Sequence, residues 1–186
     1  MIYRCLSYYF LSNNILPSSE NQINTLLEDV HIDIQFCDGE QNIVINGKNL
    51  TKYATIKQVQ DSVSLYSQLP MIRKKVLYAQ RAFAMRHNIV IEGRDTGTEV
   101  FPRAEFKFYV VCDIMVRAKR RHSDLVNAGQ DISLEEVKKS LEKRDYLDST
   151  RKYSPLVKPD NAIIVDTTNS TIEKSLGFLL NYVKRR

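Results

Sequence analysis

The clearest indication of the fold is a short apolar run in the middle of the chain that stops at a charged bend. The run occupies residues 89–91, and Gly93, Arg94 and Asp95 follow it. A β-branched run bounded by glycine predicts a fully buried strand of a parallel sheet. The segment after such a strand lies at its carboxyl end, where open α/β sheets bind ligands. A guanidinium group matches phosphate and a carboxylate accepts an amino group, so the bend predicts nucleotide binding.

Helical signals open the chain, and antiparallel strands follow them. Residues 3–11 predict a helix, and Ser19 with Gln22 forms a capping-box start for a second one. Residues 32–36 and 42–46 alternate apolar and polar side chains around a Cys-Asp-Gly turn, which predicts an antiparallel hairpin. This hairpin is typical of a small lobe inserted into a larger α/β body.

Helices alternate with strands after Pro70, which suits the first turn of a long helix. Strands are predicted over residues 106–112 and 162–165. Further helix starts are indicated at Asp113, at Ser133 with Glu136, and at Ser170 with Glu173. Strands that alternate with helices predict a parallel sheet with helices on its faces.

Composition narrows the function classes only slightly. The 186 residues carry a formal charge of +5, which favours an anionic partner. Three cysteines and three histidines are scattered without metal-ligand spacing, so we predict a reduced cytoplasmic protein with no protein-held metal. No apolar run approaches the roughly 18 residues that span a bilayer, so no membrane partner is expected. A basic RNA-binding protein is the weakest alternative, because no RNA-binding signature is present.

Two groups of charged residues are candidates for chemistry. Arg117, Arg120 and Arg121 share one face of a predicted helix and form either a solvated surface or a cationic flap over phosphates. Arg144, Asp148 and Arg151 share another face just before Pro155. They form either an intrahelical salt-bridge ladder or a site in which the carboxylate accepts sugar hydroxyls and the arginines hold phosphate.

Residues 91–102, which read IEGRDTGTEVFP, closely resemble the signature of bacterial cytidylate kinases. The resemblance extends to residues 80–83, 143–156 and 164–168, and it runs from Met1 to the end of the chain. The inserted hairpin is similar to the lobe that distinguishes this family among nucleoside monophosphate kinases. The resemblance implies transfer of the γ-phosphoryl group of ATP, with Mg²⁺, to CMP or dCMP, giving CDP or dCDP. It also implies a monomer that does not bind nucleic acid.

The same resemblance implies a set of site residues, most of them arginine or aspartate. The phosphate of CMP is assigned to Arg4, Arg94 and Arg151. The cytosine is assigned to Ser64, Arg73 and Asp95, and the ribose to Arg144 and Asp148. The lid over the ATP phosphates is assigned to Arg117, Arg120 and Arg121, which with Arg94 and Arg151 form the predicted catalytic set. The domain prediction is a core at residues 1–25, an inserted lobe at 26–63, core at 64–116, a lid at 117–137 and core at 138–186.

The Gly-x-x-Gly-x-Gly-Lys-Ser/Thr loop that binds ATP phosphates in this family is absent from the sequence. None of the six glycines is followed by Lys-Ser or Lys-Thr. We therefore expect an α/β, parallel-sheet, P-loop kinase-like core that lacks its first strand, with a small antiparallel insert and a helical lid. Met1 is expected to be an internal methionine of a longer ancestral reading frame, and kinase activity is expected to be impaired. The alternative is an inactive remnant that binds a nucleoside monophosphate or acts as an interaction module.

Overall fold

The computed structural model describes residues 1–185 and divides into two compact units, Met1–Val90 and the chain from Ile91 onward. The first unit contains four helices and three strands: α1 (Ile2–Ser12), α2 (Glu20–Glu28), β1 (Ile32–Cys37), β2 (Glu40–Ile45), β3 (Lys48–Asn49), α3 (Lys57–Ser67) and α4 (Pro70–Ala84). The described part of the second unit contains β4 (Phe108–Val111), α5 (Ile114–Asn127), α6 (Leu134–Thr150), β5 (Ile163–Asp166) and α7 (Ile172–Lys184).

The predicted hairpin is confirmed in the first unit. Strands β1 and β2 pair antiparallel with Ile32 opposite Ile45 and Ile34 opposite Ile43, and all four isoleucines are buried. The turn between the strands is tight because both Asp38 and Gly39 adopt positive φ angles, of 53° and 82°. Two central residues with positive φ match the right-handed twist of the strands that they join. Strand β3 extends the sheet beside β2.

Helices α1 and α4 contribute many of the other residues of this core. Helix α1 buries one stripe that includes Cys5, Leu6 and Phe10, as the apolar spacing of residues 3–11 predicts. The ring of Phe10 stacks on Tyr66 at 5.5 Å between centroids. Helix α4 begins at Pro70, as predicted, and buries Ile72, Arg73 and Val76. The buried Arg73 is one of the predicted cytosine-binding residues.

Burial raises the pKa of the Cys5 thiol to about 11, whereas Cys37 is exposed at the end of β1. Because the thiolate is the reactive form, we expect a thiol reagent at pH 8 to modify Cys37 rapidly and Cys5 only after unfolding. Labelling followed by mass spectrometry, with and without urea, measures this difference. A variant with both Cys37→Ser and Cys112→Ser should lose the rapid phase, because Cys112 is partly exposed, and persistence of that phase would contradict the burial of Cys5.

The second unit has the α/β character that the sequence predicts. Strands β4 and β5 pair in parallel, with Tyr109 opposite Ile164. Asp113 caps α5, since its carboxylate accepts hydrogen bonds from the backbone N–H groups of Met115 and Val116 at 2.8 and 3.2 Å. Together with the antiparallel sheet of the first unit, this parallel pair confirms the predicted fold class.

The predicted strand at residues 89–91 is wrong. These residues have no regular secondary structure, and Val90 is fully exposed. A strand is stable only when its backbone N–H and C=O groups pair with a neighbour. Within residues 1–185 the only parallel pair is β4 with β5, so the apolar run has no partner strand. The composition of the run favours a strand, but the pairing that would form one is not there.

Two predicted helix caps also differ from the structure. Helix α7 is capped by Thr171, whose hydroxyl accepts from the N–H of Lys174 at 3.3 Å, and not by Ser170. Ser19 precedes α2 but makes no side-chain capping hydrogen bond. Most apolar side chains of α7 are exposed, including Ile172 at 82% and Leu176 at 51%. Within the described chain, no helix is long and apolar enough to cross a membrane.

A reciprocal capping box starts α6, as predicted. The Ser133 hydroxyl accepts from the N–H of Glu136, and the Glu136 carboxylate accepts from the N–H of Ser133. The Ser133 hydroxyl and N–H also lower the pKa of Glu136 by donating hydrogen bonds to its carboxylate. This part of the stability is present above the ordinary glutamate value of 4.5 and is lost as pH falls through the lowered folded value.

Replacing Ser133 with alanine should therefore lower the free energy of unfolding by about 1 kcal/mol at neutral pH, and by less at acidic pH. Urea titrations followed by circular dichroism measure both values. Ser140→Ala on the same helix is the matched control, because Ser140 is exposed, and it should stay within about 0.5 kcal/mol of the parent. Equal losses in the two variants would show that the capping box does not stabilise α6.

Candidate active site

The C-terminal end of α6 carries three of the predicted site residues. Arg144 and Asp148 lie one turn apart, and Arg151 follows the last helical residue. The chain turns there because Arg151 has extended backbone angles and Ser154 adopts a left-handed φ of 49°. The Nε of Arg151 donates to the carbonyl of Ser154 at 2.6 Å. This turn holds the Arg151 side chain beside Asp148.

Arg94 and Asp95 lie in a bend that leads into one turn of π-helix, Thr96–Val100. The Asp95 carbonyl accepts hydrogen bonds from the N–H groups of Glu99 and Val100 at 2.9 and 3.2 Å. The Asp95 side chain is buried, whereas the Arg94 side chain is 39% exposed. Single turns of π-helix are frequent at functional sites because they redirect side chains locally.

These segments meet in one group of charges, which we call the Asp148 cluster (Arg94, Asp95, Arg144, Asp148 and Arg151). Oδ2 of Asp148 lies 2.9 Å from Nε of Arg94 and 3.8 Å from Nε of Arg144. Oδ1 of Asp148 lies 3.5 Å from Nη1 of Arg151, and Nη2 of Arg151 lies 3.7 Å from Oδ1 of Asp95. The structure therefore brings together five of the predicted site residues.

The contacts of Asp148 extend beyond its own helix. Within the helix, the Arg144–Asp148 pair is long at 3.8 Å, and surface pairs of this kind contribute little to stability. The shortest contact of Asp148 comes instead from Arg94, which lies 54 positions earlier in the chain. The cluster is thus built by tertiary folding, and an intrahelical ladder alone does not account for it.

The Asp148 cluster carries a surplus of positive charge. It has three guanidinium groups and two carboxylates, and the most buried of these side chains is Arg151, at 9% exposure. Charges that are shielded from solvent are screened less by salt than surface charges. Arg94 and Arg144 remain 39% and 60% exposed, so their donors reach solvent. This arrangement can bind an anion of about the size of a phosphate group.

The remaining predicted substrate residues lie in the first unit. Helix α1 carries Arg4, and the neighbouring Tyr3 ring lies 5.6 Å from the guanidinium carbon of the buried Arg73 on α4. Nη1 of Arg73 donates to the Ser67 carbonyl at 2.9 Å. Ser64 lies exposed on α3. Helices α1 and α4 therefore bring the Tyr3 ring against Arg73, and the roles of Arg4, Ser64 and Arg73 in binding CMP stay predictions.

The three predicted lid arginines lie on α5 but have different surroundings. Arg117 donates through Nε to the carbonyl of Cys112 at 3.1 Å and pairs through Nη1 with Asp145 at 2.6 Å. Arg120 donates to the carbonyl of Thr167 at 2.8 Å. Arg121 is exposed. Cys112 and Thr167 follow β4 and β5 directly, so two lid arginines lie at the carboxyl end of the parallel strands.

No cluster of three or more acidic, histidine or cysteine side chains that could hold a metal is found among residues 1–185. Mg²⁺ is commonly bound in phosphoryl-transfer enzymes by substrate phosphates with few protein ligands.

Comparison with known proteins decides the family. The family profile described as cytidylate kinase matches residues 1–185. The chain belongs to the cytidylate kinase family. Curated cytidylate kinases from Carboxydothermus hydrogenoformans and a Geobacillus species are 40% and 34% identical to it over 185 residues. Each alignment covers all of this chain and 83% of the relative. The resemblance read from the motifs is confirmed.

Reasoning from sequence missed two side chains that contact predicted site arginines. Asp145 and Tyr3 contact predicted site arginines, at 2.6 Å and 5.6 Å respectively. The signal for Asp145 is its place in the Lys-Arg-Asp segment beside Arg144. The only signal for Tyr3 is its position next to Arg4. In neither case does the sequence reveal the partner, because the contacts cross between helices.

Proposed function

We propose that this chain, as a cytidylate kinase family member, binds CMP or dCMP at the Asp148 cluster and transfers to it the γ-phosphoryl group of ATP. The observation that carries this proposal is the set of ion pairs at 2.9–3.8 Å that joins Arg94, Asp148, Arg151, Arg144 and Asp95. Phosphoryl transfer depends mainly on positioning and neutralisation of charge, which bidentate arginines supply. The predicted monomeric and cytoplasmic state stays a prediction.

The phosphate of CMP is proposed to bind Arg94 and Arg151, and the role of Arg4 stays a prediction. Support comes from the opposite properties of the two cluster arginines. Arg151 is held by Ser154 and two carboxylates, so its position is preset, while Arg94 is half-exposed and can receive the ligand. Preset donors reduce the ordering cost of binding.

Asp95 is proposed to accept a hydrogen bond from the exocyclic amino group of cytosine, and the roles of Ser64 and Arg73 at the base stay predictions. The Asp95 carboxylate is buried and lies 3.7 Å from Nη2 of Arg151, which supports its fixed direction. Arg144 and Asp148 are proposed to contact the ribose hydroxyls. Both lie on the last turns of α6, one turn from each other.

The donor side is proposed to use Arg117, Arg120 and Arg121 against the phosphates of ATP with its bound Mg²⁺. Their support is the location of Arg117 and Arg120 at the carboxyl end of β4 and β5, where open parallel sheets bind ligands. A second candidate function is binding of CMP without phosphorylation. The absence of a Gly-x-x-Gly-x-Gly-Lys loop from the 186-residue sequence favours it.

Titration of the chain with CMP and UMP by calorimetry tests the proposal. UMP has a carbonyl oxygen where CMP has its amino group, so the Asp95 carboxylate should repel it. We expect CMP to bind roughly ten- to a hundred-fold more tightly than UMP, as for a hydrogen bond to a charged group. Asp95→Asn should reduce this preference, because an amide can donate as well as accept.

Asp160→Asn serves as the matched control because it makes the same change at an exposed position. It should leave the CMP preference unchanged. Equal affinity of the parent chain for CMP and UMP would contradict the assignment of Asp95. Failure to bind either nucleotide would contradict the proposed function itself.

A further inference from the structure

Arg117 and Asp145 form a short ion pair outside the Asp148 cluster. Nη1 of Arg117 lies 2.6 Å from Oδ2 of Asp145, and the two side chains are 34% and 31% exposed. Charge-assisted hydrogen bonds of this length are among the stronger polar contacts of proteins. The pair joins α5 to α6, the two helices that pack most extensively in this unit.

Arg117 is held from two sides. Its Nε donates to the carbonyl of Cys112, directly after β4, and its Nη1 donates to Asp145 on α6. A guanidinium group has five N–H donors in a planar fork. Two of them are used in these contacts, so three are left for another acceptor. The two anchors fix the plane of the fork and leave donors for a ligand.

Asp145 lies next to Arg144, and Asp148 follows one helical turn later. Consecutive helical residues point about 100° apart, so Arg144 and Asp145 face different neighbours. Arg144 contacts the Asp148 cluster, while Asp145 contacts α5. The end of α6 therefore contributes both to the Asp148 cluster and to the position of a lid arginine.

We propose that Asp145 is a positioning residue that fixes the Arg117 guanidinium at the carboxyl end of β4, where the remaining donors bind an anionic triphosphate. This inference rests on the proposed function, since it assigns Arg117 to the donor phosphates. Asp145 does not contact the ligand itself. Its carboxylate repels phosphate at long range, and it favours binding only through Arg117.

The two possible roles of Asp145 predict opposite changes in anion affinity when its charge is removed. If Asp145 were only a nearby negative charge, removing that charge would strengthen the binding of a polyanion. If Asp145 positions Arg117, removing the charge frees the guanidinium and weakens binding. The exposure of both side chains makes a moderate effect the expectation, because solvent screens the pair.

The experiment is a titration of the ¹⁵N-labelled chain with inorganic triphosphate at low ionic strength, followed through the Nε–Hε signal of Arg117. Arg117→Lys assigns the signal by its disappearance. In the parent chain we expect this signal to shift on titration. In Asp145→Asn the dissociation constant should rise about two- to five-fold, and the free signal should exchange faster with water. Asp145→Glu, which keeps the charge, should recover part of the affinity.

Glu142→Gln is the matched control because it removes the same charge from the same helix, where Glu142 faces Lys138 at 3.7 Å. It should leave the dissociation constant unchanged or slightly lower. Triphosphate binding by Asp145→Asn that is as tight as in Glu142→Gln would overturn the proposal, and so would an Arg117 signal that does not respond in the parent chain. CMP binding, measured in the same samples, separates this outcome from failure of the proposed function.

Discussion

With ATP, Mg²⁺ and CMP, the purified 186-residue chain is expected to release ADP at least about a thousandfold more slowly than the Carboxydothermus hydrogenoformans relative measured beside it. In kinases with a phosphate loop, backbone N–H groups and a lysine bind the β- and γ-phosphates, and a Ser or Thr hydroxyl binds Mg²⁺. No segment of this sequence has that pattern. The lid arginines neutralise charge but do not cradle the β-phosphate. A coupled assay of ADP release measures the difference.

A chimera provides the control for this prediction. Fusing the strand, phosphate loop and helix of the relative ahead of Met1 should restore CMP-dependent ADP release by at least about a hundredfold. A version of the chimera in which the loop lysine is replaced by alanine should remain slow. Turnover by the unmodified 186-residue chain within tenfold of the relative would refute the prediction. In that case other residues of this chain would have to bind the donor phosphates.

Much of the fold is predictable because the local signals agree with the tertiary packing. Two local signals predict the hairpin, the alternation of apolar and polar residues in its strands and the Asp-Gly turn. The structure confirms the first in the pairing of β1 with β2 and the second in the positive φ angles of Asp38 and Gly39. The start of α6 is likewise specified locally, because Ser133 and Glu136 satisfy each other's backbone groups. Elements whose hydrogen bonds close within a few residues need no distant partner.

Local composition did not correctly predict the structure of residues 89–91, which do not form a strand. Their composition suits a buried strand, but a strand requires backbone partners from elsewhere in the chain. The exposure of Val90 shows that composition alone does not supply them. The predicted cap of α7 was wrong by one residue, because Ser170 and Thr171 are adjacent and either hydroxyl can cap a helix.

The candidate site was predictable in its residue types but not in its pairings. Spacing along α6 places Arg144 and Asp148 one turn apart, and the structure keeps them within 3.8 Å. The 2.9 Å contact between Arg94 and Asp148 depends on how the bend packs against α6, which no local pattern encodes. The partners of Arg117 are equally non-local. Motif resemblance predicted the site residues, and the structure shows which of the predicted residues on α6 and in the bend contact each other.

Replacing Arg151 with alanine should weaken CMP binding by roughly ten- to a hundred-fold or more, the range for a lost hydrogen bond to a charged group. The loss has two causes. The variant lacks a phosphate donor, and the negative charges of Asp95 and Asp148, which Arg151 neutralises in the parent, would then repel the phosphate. Arg151→Lys should recover only part of the affinity, because an ammonium group cannot bridge both carboxylates as a planar fork does. Calorimetric titration gives the dissociation constants, and thermal unfolding of the same samples shows whether they are folded.

Arg103→Ala, which removes the same charge from an exposed position, should bind CMP as the parent does. Near-parental affinity in a folded Arg151→Ala variant would exclude Arg151 from the phosphate site and leave it a structural role at the end of α6.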